Sequence, residues 1–292
     1  MRAPVQRSQF IGLLEADGSA VDALAFADAV LGAASAERLQ LIACAGSAVE
    51  ATPCEPCVGD EMAVLAYERS QQSVASVARF HGERLSGRRP LTGLGGSVVE
   101  GIAGQVVTLG GEVLVAARGP VLEGETLASA VGRSQLPSCV VAAGFGGSIR
   151  KIAVAVDFQE GSALLMERAL VLASQFGVEL VPVHVSRPEV PGERRPAGGA
   201  EAKRFEQLMG QVELAFGAAY ATRNLLQPLE LVRGEAVEAL QTWASTAPVD
   251  LVVVGSGAPG RPWLSLGSVA TALVGSFPVA LWIEPLADRA TS

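Results

Sequence analysis

The chain has 292 residues, a length that favours two domains of ordinary size over a single large one. Hydrophobic residues make up 49% of it but aromatic residues only 5%, so Ala, Val and Leu have to form the core, as is typical of α/β proteins. The net charge of -8, without a Lys/Arg stripe, argues against nucleic acid or an anionic membrane as a partner.

The first half of the chain predicts strands that alternate with helices. A short apolar strand ends at Glu15, and the last strand of this half begins at Pro137. The predicted strands cover residues 10–14, 39–44, 113–117 and 137–142, and the predicted helices cover 21–34, 60–80 and 98–106.

The second half repeats this order of elements. Its first strand ends at Asp157, its fourth strand runs into the glycines that begin at Gly255, and a Pro-, Gly- and Arg-rich surface insert covers residues 187–199. The predicted strands are 151–156, 179–185, 229–232, 250–255 and 279–283, and the predicted helices are 162–176, 200–221, 235–245 and one opened by Gly267-Ser268.

Three landmarks recur at a nearly constant distance, which indicates an internal repeat. Glu15 and Asp157 are 142 residues apart, Glu112 and Asp250 are 138 apart, and Pro137 and Pro278 are 141 apart. We therefore predict two consecutive doubly wound α/β domains, residues 1–146 and 147–292, each with a parallel sheet covered on both faces. Ligands of such sheets bind beyond the carboxyl ends of the strands, where Asp157, Val185 and Gly255 are expected.

Apolar runs in this sequence are short. The longest, residues 139–145 and 249–255, have the length of strands and cannot span a bilayer. The apolar run nearest the first residue covers only residues 10–14, which is too few for the hydrophobic region of a signal peptide. A cytoplasmic protein is therefore expected.

The four cysteines include one pair with the spacing of half a zinc site or a redox motif, Cys54-Glu-Pro-Cys57. The sequence has no second such pair, and His81 and His184 are its only histidines. The pair also lies in a proline-rich loop and not at a helix start, where a thiolate would be stabilised. Two loop thiols in a reducing compartment are the favoured interpretation, and no metal site is predicted.

The glycines after the fourth strand of the second half predict an anion site. Gly255, Gly257 and Gly260 follow a buried strand, and Gly267-Ser268 opens a helix whose N-terminus carries partial positive charge. The first part reads G-x-G-x-x-G, but the acid expected about 20 positions later in a dinucleotide-binding fold is missing. It is not a Walker A loop either, because Arg261-Pro262 stands in place of Lys-Ser/Thr.

Several motifs of the second half together resemble a universal stress protein domain. They are Ile152-Ala-Val-Ala-Val-Asp157, Pro182-Val-His184-Val185, Gly234-Glu-Ala, Asp250–Gly255, Gly267-Ser268 and Phe277-Pro-Val. The first half is similar in layout and in Leu136-Pro-Ser-Cys-Val, so the chain resembles a tandem member of this family with the adenine nucleotide alpha hydrolase-like fold.

The resemblance implies an ATP site in the second domain. Family members that bind nucleotide use the pattern G-x2-G-x9-G-(S/T) for the phosphates, and the Asp after strand one with the end of strand two for the adenosine. Carried over, this implies Asp157 and Val185 for the nucleoside and Gly255, Gly267 and Ser268 for the phosphates. Ala258 replaces the second glycine and the loop is one residue short, so Gly257 and Gly260 would supply the turn in a shifted register.

The function expected from this resemblance is a stress-response protein that holds ATP, or another adenine nucleotide, with magnesium only if a triphosphate is bound. The first domain lacks the paired glycines and carries Glu123 and Glu125, so it is expected to be a degenerate partner. Pairing of the two domains through their closing strands would make the chain pseudo-dimeric, and homodimerisation is left open. The alternative is a tandem protein without nucleotide that acts as an interaction scaffold.

An enzyme is not expected beyond very slow ATP hydrolysis, because no nucleophile elbow occurs and two histidines give little general-base capacity. His184 lies inside an apolar strand and is predicted to be a hydrogen-bonded core residue. For Asp157, capping of the following helix and contact with a ligand are equally favoured.

Overall fold

A computed structural model of the chain describes residues 8–15, 19–32, 35–44, 91–93, 98–120, 122, 124–186, 199–216, 225–257 and 266–286, with isolated positions between 68 and 78. The chain divides into two compact units, Gln6–Gly147 and a second made of Ser148–Ser292 with Met1–Val5. The predicted helix 60–80 lies largely outside the described residues, and so do Cys54, Cys57 and most of the insert 187–199.

The first unit is a parallel sheet with helices between its strands. Its strand order is β3-β2-β1-β4-β5. The described elements are β1 (Phe10–Glu15), α1 (Ser19–Leu31), α2 (Ser35–Arg38), β2 (Leu39–Cys44), β3 (Leu91–Gly93), α3 (Val98–Thr108), β4 (Val113–Ala117), α4 (Gly124–Ser134) and β5 (Ser138–Val141).

The second unit has the same architecture, with strand order β8-β7-β6-β9-β10 and all strands parallel. This confirms the predicted fold class of two consecutive doubly wound sheets. The described elements are β6 (Lys151–Ala155), α5 (Ser162–Phe176), β7 (Glu179–Ser186), α6 (Gly199–Phe216), β8 (Glu230–Arg233), α7 (Ala236–Thr246), β9 (Leu251–Gly255), α8 (Ser268–Ser276) and β10 (Ala280–Glu284).

The strand registers reproduce the repeat found in the sequence. In the first sheet Phe10 lies opposite Val113, and in the second Ile152 lies opposite Leu251, which gives offsets of 142 between β1 and β6 and 138 between β4 and β9. At the start of these strands a repeated acid joins the two neighbours. The Glu112 carboxylate accepts the Gln9 N–H at 2.9 Å, and the Asp250 carboxylate accepts the Arg150 and Lys151 N–H groups at 2.8 and 3.2 Å.

The carboxyl ends of the strands correspond in the same way. Glu15 corresponds to Asp157 by the register of the central strands, and Cys44 corresponds to Val185 by the register of β1 with β2 and of β6 with β7. The closing strands differ from the sequence expectation. Ser138 lies opposite Leu114 and Leu281 opposite Val252, so these strands are offset by 143 residues and not by the 141 that separates Pro137 from Pro278.

Three elements of the first unit were not predicted, namely the helices Ser35–Arg38 and Gly124–Ser134 and the strand Leu91–Gly93. The helix Gly124–Ser134 buries a face that includes Leu127 and Val131, which are four residues apart as on one side of an amphipathic helix, so its pattern is present in the sequence although the prediction omits it. The strand Leu91–Gly93 has three residues, too few for a periodic pattern. By contrast, strands Leu39–Cys44 and Val113–Ala117 and helix Ser162–Phe176 have the predicted bounds.

The core follows from burial of both sheet faces. β1 is buried at every position and β10 likewise, as expected for parallel strands covered by helices on both sides. Within the part of the chain that the structure describes, no helix is both long and apolar enough to cross a membrane.

Candidate functional site

A cavity of about 540 Å³ lies at the carboxyl ends of β6, β7 and β9 in the second unit. β6 and β9 are neighbours, with β7 beyond one and β10 beyond the other, so the cavity lies where the strand order reverses and doubly wound sheets bind ligands. Six of the predicted residues line it, namely Asp157, Val185, Gly255, Gly257, Gly267 and Ser268. Gly260 lies outside the described residues.

Two helices begin at this cavity. α7 contributes Ala236 to its lining, and α8 contributes Ser268 and Val269. No side chain makes a capping hydrogen bond to the start of either helix. Their first backbone N–H groups, and the positive ends of their dipoles, are therefore available to a negatively charged group in the cavity.

The glycine loop is closed at its base by a backbone contact. The Gly267 N–H donates to the Ser256 carbonyl at 2.6 Å. Gly257 has a φ of 137°, which side-chain-bearing residues rarely adopt, and a Cβ on Gly267 would lie 3.2 Å from the Gly257 Cα. Gly257 and Gly267 are thus required by the close approach of two backbone segments.

Gly255 has a different neighbour. A Cβ at this position would lie 2.5 Å from Cδ1 of Leu286, so the leucine side chain packs directly on the Gly255 backbone. Leu286 also lines the cavity, and its N–H donates to Ser256 Oγ at 3.4 Å. The sequence gives no sign of this role, because Leu286 follows the last strand and belongs to no motif.

Asp157 organises the turn between β6 and α5. Its Oδ1 accepts the Gln159 N–H at 2.9 Å and the Ser162 hydroxyl at 2.8 Å. The helix itself is capped by Gly161, so Asp157 stabilises the turn without being the N-cap. Both hydrogen bonds use Oδ1, and within the described residues Oδ2 accepts none. Its second oxygen is therefore available to a ligand.

His184 supports the same turn from β7. Its Nδ1 donates to the Val156 carbonyl at 2.8 Å, and its ring lies 4.5 Å from that of Phe158, centroid to centroid. Phe158 has a φ of 59°, in the left-handed region, so the turn after Asp157 is held in an unusual conformation. The prediction that His184 is hydrogen-bonded is confirmed, but the residue is half-buried and not part of the core.

The comparisons with known proteins identify the second half of the chain. Residues 148–284 match the model of the Universal stress protein family. This stretch is therefore a universal stress protein domain. No curated protein sequence is significantly similar to the chain.

Solved structures extend the likeness of fold beyond this domain. A protein from Pseudomonas aeruginosa described as a universal stress protein matches with a TM-score of 0.56 at 15% identity, over 96% of this chain and 94% of its own. A universal stress protein from Archaeoglobus fulgidus matches with a TM-score of 0.53 at 14% identity, over 95% of this chain and 97% of its own. At these identities the likeness shows the fold alone.

The cavity of the universal stress protein domain combines an apolar lining with a few polar groups. Asp157 and Glu160 contribute negative charge, and the described lining contains no Lys, Arg or His. Arg261, which directly follows Gly260 in the sequence, lies outside the described residues. Groups of three or more metal-ligating side chains do not occur among the residues that the structure describes. The described donors for a phosphate here are therefore uncharged, namely backbone N–H groups and polar side chains such as Ser268.

Proposed function

We propose that the universal stress protein domain binds ATP or another adenine nucleotide in the cavity at the ends of β6, β7 and β9. The observation that carries the proposal is that five residues implied by the family's nucleotide pattern, together with Gly257 from the shifted register, line one cavity of about 540 Å³. That volume lies within the range of small-molecule sites, roughly 300–1,000 Å³. The two helix N-termini at its rim favour an anionic ligand.

The lining suggests how the parts of a nucleotide would be held. Apolar side chains from β7, α5 and α7, among them Val183, Leu165 and Leu240, offer a surface for the base. The Asp157 Oδ2 is an acceptor for a ribose hydroxyl, at about 1.5–3 kcal/mol for a hydrogen bond to a charged group. The N–H groups of Ser268 and Val269 would face the phosphates. Magnesium is expected only with a triphosphate.

The wider role follows from the family and from the repeat. We propose a tandem stress-response protein in the cytoplasm that binds nucleotide with at most very slow hydrolysis. Its second domain would carry the site, and its first domain would be a partner with a degenerate site that pairs with it through the closing strands. Whether whole chains also dimerise is open to measurement by light scattering.

Thermal-shift titration tests the binding. Purified chain is titrated with ATP, ADP, AMP and NAD, with and without magnesium, because a ligand that binds only the folded state raises the melting midpoint. We expect a saturable rise with at least one adenine nucleotide. A flat response to all four ligands at millimolar concentration would overturn the proposal.

A matched pair of variants locates the site. Ser268→Glu adds a carboxylate at the start of α8, where it suits the helix dipole but repels phosphate, and it should abolish the shift. Ser174→Glu adds the same charge at an exposed position near the C-terminal end of α5, whereas the N-terminal end of that helix lines the cavity. This variant should leave the shift unchanged. Asp157→Asn keeps an acceptor for the turn and should weaken nucleotide binding about tenfold.

The alternative function is a scaffold without nucleotide. The observation in its favour is that Asp157 and Glu160 place two carboxylates in the cavity wall, which disfavours a triphosphate. If the melting midpoint of the wild-type protein and of each serine variant stays constant as the nucleotide concentration rises, no nucleotide binds. The glycines after β9 then form a structural turn, and the scaffold function stands.

A further inference from the structure

The first unit has its own acid at the place that Asp157 occupies in the second. Glu15 ends β1 as Asp157 follows β6, and the registers make the two positions equivalent. Two residues after β4 lies Gly119, at the distance from its strand that separates Gly257 from β9. Glu15 and Gly119 of the first unit therefore occupy the positions that Asp157 and Gly257 occupy beside the cavity of the second unit.

The Glu15 side chain reaches the loop after β4, where Gly119 and Leu122 lie. It is 2% exposed, and its Oε1 accepts the Leu122 N–H at 2.6 Å. A Cβ on Gly119 would lie 2.8 Å from the carboxylate carbon and from both oxygens, so the carboxylate lies flat against the Gly119 backbone. A larger residue than glycine would leave no room for it.

Other groups around this carboxylate agree with its position. The Cys44 thiol, at the end of β2, has a pKa raised by burial and, to a smaller degree, by the negative charge of Glu15. Arg118 directly precedes Gly119 and is half-buried, so the loop that receives the carboxylate also carries a positive charge.

Asp157 behaves differently although it is shorter by only one methylene group. It is exposed, and it bonds to its own turn at Gln159 and Ser162 instead of crossing to the loop after β9. In the second unit the space between the strand ends and the loop is part of the cavity of about 540 Å³. In the first unit the Glu15 carboxylate lies between the same elements.

We propose that the backbone at Gly119 and at Leu122 forms a carboxylate-binding site that the chain fills with its own Glu15. The tethered carboxylate competes with any free anion at a high effective concentration. An external anionic ligand would have to displace a buried, hydrogen-bonded charge, so the first unit stays closed to it. With the side chain removed, the site takes a small free carboxylate such as formate.

Chemical rescue tests this proposal on the full chain. Glu15→Ala leaves the Leu122 N–H without this acceptor and should lower the melting midpoint by roughly 3–9 °C. Sodium formate should then recover a large part of the loss in a saturable manner, whereas sodium chloride at equal ionic strength should not. Glu15→Gln keeps a carbonyl acceptor in place, so neither it nor wild-type protein should respond to formate beyond chloride.

If Glu15→Ala does not fold in chloride, the same comparison is made on the yield of folded protein after dilution from urea. Formate should raise that yield and chloride should not. An equal response of the Ala variant to formate and chloride, by midpoint or by yield, would overturn the proposal. A formate-specific response of wild-type protein equal to that of the Ala variant would also overturn it, because the site would then not be filled by Glu15.

Discussion

At the scale of single residues, the glycines around the cavity are required for different reasons. A Cβ added to either Gly257 or Gly267 would contact the backbone of the other glycine, and this backbone cannot move far without opening the loop. Gly255 faces only the end of the Leu286 side chain, which can change its rotamer. The sequence pattern gives the three glycines the same meaning, but the contacts separate them.

This difference predicts the outcome of alanine substitutions. Gly255→Ala should lower the free energy of unfolding by about 1–3 kcal/mol through overpacking against Leu286, and Leu286→Ala in the same chain should recover most of that loss. Gly257→Ala should cost a similar amount because of its φ, and Leu286→Ala should not relieve it. Urea unfolding of the single and double variants measures the coupling. Equal coupling of Leu286 to both glycines would contradict this.

The buried thiols are a second feature at this scale. Burial raises the pKa of both Cys44 and Cys139, with Glu15 as an additional cause for Cys44. A raised pKa keeps the folded thiol protonated while the unfolded thiol ionises near its ordinary value of about 8.5. Their contribution to stability is therefore complete below about pH 8.5 and is lost as the pH rises above it.

Stability should accordingly fall in alkali. Each buried thiol should contribute a slope of up to about 1.4 kcal/mol per pH unit above about pH 8.5 to the free energy of unfolding. Urea unfolding from about pH 7.5 to about pH 10 under reducing conditions measures the slope, and Cys44→Ala should make it shallower. If the variant and the wild-type protein have the same slope, Cys44 ionises in the folded state.

At the scale of elements, the repeated acids mark opposite edges of the sheet. Glu112 and Asp250 join the starts of neighbouring strands through backbone N–H groups, whereas Glu15 and Asp157 lie at the carboxyl ends where ligands bind. Arg150 adds an ion pair with Asp250 at 3.0 Å, but its side chain is 80% exposed, so the backbone hydrogen bonds dominate. The landmarks that reveal the repeat thus have separate tasks.

Loss of the strand-start acid should affect stability and not binding. Asp250→Ala leaves two strand-start N–H groups without their acceptor and should reduce the free energy of unfolding by about 1–3 kcal/mol. Because Asp250 lies at the far edge from the cavity, nucleotide affinity should change less than about twofold. Urea unfolding and calorimetric titration measure the two effects. A large loss of affinity in a folded variant would mean that the strands shift at both ends.

At the scale of the whole molecule, two units with one strand order have different strand-end chemistry. The order and registers repeat, but one unit has a cavity at its strand ends and the other has the Glu15 carboxylate between the corresponding elements. A tandem chain of this kind is expected to bind one nucleotide, although it contains two copies of the fold.

Stoichiometry checks this expectation. Isothermal titration of the full chain with the nucleotide identified by thermal shift should give one site per chain, and Ser268→Glu should remove it. A stoichiometry of two, with one site surviving in the Ser268→Glu variant, would show that the first unit binds nucleotide in spite of Glu15. Such a result would contradict the proposed closure without affecting the site in the second unit.

Much of this architecture can be predicted from the sequence, because periodicity and turn residues act locally. The alternation of strands and helices, the repeat near 140 residues, and Asp157 and Val185 at strand ends all follow from such patterns. The strand Leu91–Gly93 does not, since a segment of three residues is too short to show a periodic pattern.

The sequence by itself determined two doubly wound units and the strand-end positions from which a ligand site could be built. Only the tertiary structure decided that Leu286 covers Gly255 and that Glu15 crosses to the loop after β4 while Asp157 remains on its own turn. Glu15 and Leu122 are 107 positions apart, and their contact depends on where the loop lies and on one methylene group. Local pattern carries no information about such a distance, whereas packing fixes it.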